Sequence, residues 1–122
     1  MFRVATLLAL LLVLLAGCER PEAGPPNMMP EILGALQITD SQERDTALAQ
    51  ACRHAAEQGS APAVMMGLPR IDNVTLRDTV AADCAEVLNE AGQSAAAEDV
   101  ARLISDETKR NAALAEVGAG GD

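Results

Sequence analysis

The sequence predicts an all-α fold arranged as a short helix-turn-helix solenoid of about 2.5 units. Three observations carry that expectation. Residues of the same type return every 33 positions along the chain. Inside each long segment the apolar residues fall in stripes at helical spacing, the pattern of a helix buried along one face. Finally, Phe2 is the only aromatic residue, so the core must be assembled from Ala, Leu, Val, Ile and Met, the residues of closely packed helices.

Three segments align at that period: ITDSQERDTALAQACRHAAEQGS from Ile38, IDNVTLRDTVAADCAEVLNEAGQS from Ile71 and ISDETKRNAALAEV from Ile104. Ile stands at 38, 71 and 104, and Arg at 44, 77 and 110. Asp or Asn stands at 40, 73 and 106 and again at 45, 78 and 111, and Gly at 59 and 92. A period near 33 with an internal glycine marks a row of helical pairs in which each unit buries its apolar face against its neighbours.

The elements follow in order. PEILGALQI reads as the second helix of an incomplete unit, over 30–37, with Pro30 near its N-terminus, where a missing N–H is tolerated. The next helix, 41–58, begins after Asp40, and Glu43 three positions on is placed to close a capping box. Asp40 lies four residues before Arg44, and Asp106 four before Arg110, spacings that suit intrahelical ion pairs. Ala47, Leu48, Ala51, Cys52 and Ala55 form the apolar stripe of this helix. Gly59 supplies its C-terminal cap, and Ser60 opens a shorter helix over 61–68. AVMMGLPRI puts Gly67 and Pro69 at the end of that helix, which should be kinked or cut short there. Unit two repeats the scheme: Asn73 caps 74–91, Val80, Ala81, Cys84, Ala85 and Leu88 form the stripe, Gly92 ends it, and Ser94 opens 95–104. Asp106 caps a last helix over 107–117, and GAGGD is expected to be a disordered tail over 118–122.

Over residues 30–117 this arrangement resembles tetratricopeptide-type repeats. It departs from that pattern in lacking the aromatic and second-helix proline signature and in having a period of 33 where the family has 34. The resemblance implies a right-handed stack that presents a concave face to peptides or partner proteins, and so a binding or adaptor module.

The beginning of the chain carries a different signal. Arg3 and the free amino terminus precede an apolar run from Val4 to Ala16, thirteen residues long. A membrane-spanning helix needs about 20 apolar residues, whereas a secretory signal takes roughly 7–15 after a positive start. Leu15, Ala16, Gly17 and Cys18 then resemble the lipobox of bacterial lipoproteins. That resemblance implies cleavage before Cys18, a diacylglycerol on its sulfur and an acylated new amino terminus, with residues 1–17 as the signal. Two or three acyl chains hold firmly where one holds weakly, at about 0.8 kcal/mol per buried methylene. Glu19 at the following position resembles cargo sent to the outer membrane, facing the periplasm. ERPEAGPPNMMP is rich in proline and reads as a semi-extended tether, residues 18–29 including Cys18.

Composition narrows the function. Once Arg3 leaves with the signal, eight basic residues face eighteen acidic ones, a formal charge of -10. Such a chain lacks the basic patch and stacking aromatics that nucleic-acid binding needs. His54, the single histidine, has no adjacent nucleophile or acid in sequence, so no catalytic group stands out and an enzyme is not expected. Met28, Met29, Met65 and Met66 with His54 suggest copper, but neighbouring residues of a helix diverge by about 100° and cannot both ligate one ion. No metal or other cofactor is expected. His54, Met65, Met66 and Arg70 are the candidate partner-binding residues, because His54 breaks the repeat and the Gly67–Pro69 segment interrupts its regularity. Cys52 and Cys84 sit 32 residues apart, one short of the repeat. They are either two buried small hydrophobes or a disulfide, and bridging needs Cα atoms within about 7 Å while packed helices lie about 8–10 Å apart. The sequence therefore predicts a lipid-anchored envelope protein that binds a protein partner. The alternative is a structural or accessory lipoprotein that self-associates without a peptide groove.

Overall fold

A computed structural model describes residues 27–120, and its regular secondary structure is entirely helical. The signal segment, Cys18 and the tether to residue 26 lie outside the described residues. Six α-helices run as α1 Met29–Leu36, α2 Ser41–Glu57, α3 Ala61–Gly67, α4 Val74–Glu90, α5 Ser94–Ala101 and α6 Glu107–Gly120, with a 3-10 turn, Leu68–Arg70, directly after α3. The interruption expected at Gly67 and Pro69 is this change of helix type. Two boundaries differ from expectation. Met28 is buried and Met29 opens α1, so the folded part begins inside the expected tether. At the other end α6 continues to Gly120, past the point where a tail was expected.

The 33-residue spacing reappears as hydrogen bonds. The side chains of Asp40, Asn73 and Asp106 each accept the main-chain N–H three residues on, at 2.9, 3.0 and 2.9 Å. This satisfies one of the orphan donors at the start of α2, α4 and α6. Both long helices end alike. Gly59 and Gly92 take φ of +74° and +83°, and the N–H of Ser60 and Gln93 return to Ala55 and Leu88. This closure requires left-handed backbone, which glycine adopts without strain. Ser94 starts α5 as expected, but as its first helical residue and not as its cap. Gln93 occupies the cap of α5, while the Ser94 hydroxyl donates to Asn89 at 3.2 Å.

The arginines also depart from expectation. Arg44 does not pair with Asp40, nor Arg110 with Asp106. Each of Arg44, Arg77 and Arg110 instead donates Nη1 to the carbonyl six residues before it, on Ile38, Ile71 and Ile104. The guanidinium thus braces the loop that enters its helix. Arg44 then reaches Asp72 at 3.0 Å, and Arg77 reaches the Ser105 hydroxyl at 3.1 Å. Those contacts cross to the next unit.

Between units α2 packs on α4 and α4 on α6, while α1, α3 and α5 close the other side of the layer. Ile32, Leu48, Leu68, Ile71, Leu88 and Ile104 are the largest fully buried side chains. One site breaks the repeat in a compensated way. A Cβ on Gly67 would lie 2.7 Å from the Cys52 sulfur and 2.9 Å from Ile32 Cδ1. One unit later the same two positions hold Val100 and Ala85, both buried. Volume lost at Gly67 is gained at Cys52, and the reverse holds at Val100 and Ala85, as close packing requires.

Candidate functional site

The exposed faces of the three long helices form a shallow furrow. A cleft of about 370 Å³ lies between α2 and α4, lined by Arg53, Ala56, Glu57, Glu86 and Glu90 among others. A second, about 330 Å³, lies between α4 and α6, lined by Ala82, Lys109, Ala113 and Glu116. Asp83 and Glu86, on α4 between the two clefts, line both. Small side chains make this shape: alanines at 56, 82 and 113 let the helices approach and leave a low floor. The rim carries Glu57, Asp83, Glu86, Glu90 and Glu116 against Arg53 and Lys109. Arg53 is committed to Asp83, with Nε and Nη2 on one carboxylate oxygen at 3.2 and 3.0 Å. What remains is an acidic, half-apolar trough with the chemistry to hold a segment carrying Lys or Arg.

The residues chosen from sequence are placed elsewhere. His54 projects from α2 toward α1, and its Nδ1 meets Glu31 Oε2 at 2.9 Å. Met65 and Met66 are exposed on α3, and Arg70 is exposed at the end of the 3-10 turn. The structure does not bring these four into the furrow. The furrow residues were legible only as the polar side of α2, α4 and α6. Arg53 and Asp83 lie 30 residues apart, outside the 33-residue register, and the repeat gave no hint of their pairing.

Cys52 and Cys84 are buried free thiols, so the disulfide alternative is not formed. Their helices pack face to face, but the one-residue offset puts the Cys52 sulfur against Gly67 and Cys84 at the place Ala51 holds in the unit before. Burial pushes both thiols from 9.0 up to about 12; Cys52 adds to the rise at Cys84, and Arg53 opposes it at both. They are protonated hydrophobes at neutral pH, not nucleophiles. Among the described residues no group of three or more His, Cys, Asp or Glu could hold a metal ion, and no helix is long and apolar enough to cross a membrane.

Two further residues belong to the architecture. Asp45 and Asp78 are buried, at 6% and 4% exposure. Asp45 accepts the main-chain N–H of Asp72 and Asn73 at 2.9 and 3.0 Å, and Asp78 those of Ser105 and Asp106 at 2.8 and 3.1 Å. Each carboxylate ties the start of the next unit to its own helix. Their recurrence at 45 and 78 among buried positions was the available signal, since a buried acid without a partner would be strongly unfavourable.

Comparison with protein-family models, with curated proteins and with solved structures finds no match to this chain.

Proposed function

We propose that this chain is a lipid-anchored extracytoplasmic adaptor that binds a protein partner. In this reading Cys18 carries the lipid, and the proline-rich tether lifts a right-handed, tetratricopeptide-like stack from the outer membrane into the periplasm. The carrying observation is the pair of acidic clefts that flank α4, one against α2 and one against α6, with Asp83 and Glu86 lining both. The stacked arrangement draws support from caps, loop braces and inter-unit carboxylates that recur in one register. The excess of carboxylates on the rim favours a partner segment rich in Lys or Arg. No catalytic step is assigned.

Crosslinking the protein in its native membrane and identifying what is joined to it tests this reading. The expected result is a distinct partner whose yield drops in Glu86→Lys, because Glu86 is exposed and lines both halves of the furrow. Recovery of this chain alone would favour the structural, self-associating lipoprotein. The anchor has its own test: Cys18→Ser should accumulate as an uncleaved precursor or leave the membrane fraction, and a processed form that still sediments with membranes would refute lipidation.

A further inference from the structure

The repeat leaves the two ends of the described chain unfinished in complementary ways. α6 holds the place of α2 and α4, the first helix of a unit, and no second helix follows it among the described residues. α1 holds the place of α3 and α5, a second helix, and none of the described residues supplies the first helix of its unit. Positions buried in the inner units are open on α6. Asn111 is exposed where Asp45 and Asp78 are buried, Ala115 is exposed where Ala49 is buried and Ala82 half-buried, and Leu114 is half-buried where Leu48 and Ala81 are fully buried.

The polar groups at the ends match in the same register. At each inner junction an arginine donates Nη1 to its own loop and Nη2 to the first polar side chain of the next unit, Asp72 or Ser105. The acid one position after that arginine accepts the two N–H groups there. Arg110 already donates Nη1 to the Ile104 carbonyl at 3.3 Å, and its Nη2 has no acceptor among the described residues. Asn111 stands beside it with an amide oxygen. At the opposite end, Thr39 and Asp40 are in register with Asp72 and Asn73 and with Ser105 and Asp106. Their main-chain N–H groups have no acceptor among the described residues, and Thr39 brings a hydroxyl to the place of Ser105.

We infer that a second copy of this chain docks head to tail on α6. The α1 helix of the second copy supplies the missing second helix, its Thr39 hydroxyl accepts from Arg110, and its Thr39 or Asp40 N–H donates to Asn111. The occupant is another copy because the next elements in the 33-residue register after α6 are a second helix and then a first helix, which is the order of α1 and α2. The contact thereby continues the interface already made by α2 with α4 and by α4 with α6. An amide offers one acceptor oxygen where a carboxylate offers two, so this junction is weaker than those inside the chain and reversible. A head-to-tail contact has no two-fold axis and builds open rows or closed rings. The inference rests on neither the furrow nor the anchor, and it stands if the adaptor reading fails.

The test uses the purified full-length chain in mild detergent. Sedimentation should show mass rising with concentration. Ala115→Arg, at an exposed position outside the furrow, should raise the concentration needed by at least roughly tenfold while leaving the thermal melt of the monomer unchanged. Geometry is read by mixing Asn111→Cys chains with Thr39→Cys chains under mild oxidation and mapping the crosslink by mass spectrometry. A bond joining positions 111 and 39 only in the mixture supports the head-to-tail contact. A chain that stays monomeric throughout, association indifferent to Ala115→Arg, or a bond joining position 111 to itself, the mark of a two-fold contact, would each overturn it.

Discussion

Asp45 holds the main-chain N–H of Asn73 at 3.0 Å, and Asn73 is the residue whose side chain caps α4. One buried carboxylate on α2 therefore fixes where the next unit begins. Asp78 does the same for Asp106 and α6. Ionised acceptors make stronger bonds than neutral ones, and low local dielectric strengthens them further. No buried side-chain nitrogen or oxygen among the described residues lacks a partner, so these acids are satisfied by the units they join.

Asp45→Ala and Asp78→Ala should each destabilise the fold by about 2–4 kcal/mol, because each leaves two main-chain donors without an acceptor. Asn at either position should recover part of the loss, since its amide oxygen can serve one of the two donors. Chemical denaturation measures this directly. Loss of under ~0.5 kcal/mol, the range of an ordinary surface change, would show that these carboxylates do not join the units.

Gly67→Ala should cost about 1–3 kcal/mol, the usual penalty for overpacking. The new methyl would meet the Cys52 sulfur at 2.7 Å and Ile32 Cδ1 at 2.9 Å. In a Cys52→Ala background the penalty should shrink without vanishing, because the Ile32 contact remains. A double-mutant cycle reads the coupling. Strict additivity would mean that the exchange of volume between Gly67–Cys52 and Val100–Ala85 is coincidental.

Ala51→Asp and Ala81→Asp should each destabilise by several kcal/mol, since an unpaired charge would enter a close helix contact, whereas Glu57→Ala on the furrow rim should be nearly silent. Ala51 and Ala81 are buried and Glu57 is exposed. Thermal melts of the three variants provide the comparison, and equal tolerance at all three would contradict the packing described.

Helix number, order and caps were legible because they depend on local chemistry: an Asp or Asn before each long helix, a glycine after it, and an apolar stripe within. Bonds that cross between units were not. Arg44 sits four residues from Asp40, a spacing that suggests an intrahelical pair, yet the structure turns it to the Ile38 carbonyl and Asp72. Exposed intrahelical pairs contribute only about 0.3–0.5 kcal/mol, too little to hold an arginine when an unpaired carbonyl and a neighbouring carboxylate are within reach. Asp45 and Asp78 were visible as a recurrence with no assigned task, because sequence does not say which N–H groups a neighbouring unit will present. The furrow was hidden for a related reason. It is defined by how closely alanines at 56, 82 and 113 allow α2, α4 and α6 to approach, and that distance is set by packing across units.

The two thiols give a pH dependence with a definite sign. Burial raises Cys52 and Cys84 from 9.0 to about 12, so between those values the folded chain keeps protons that the unfolded chain has released. Their contribution to stability is whole below about pH 9 and declines as the pH rises toward 12. Urea denaturation at intervals across this window should show the decline in the native chain. The Cys52→Ala, Cys84→Ala double variant should show a flatter profile, at the cost of a modest loss of packing at neutral pH. Alkylation should follow the same order, with neither thiol reacting at pH 8 until the chain unfolds. A double variant as steeply pH-dependent as the native chain, or rapid labelling of either thiol in the folded state, would show that these sulfurs are not sealed between α2 and α4.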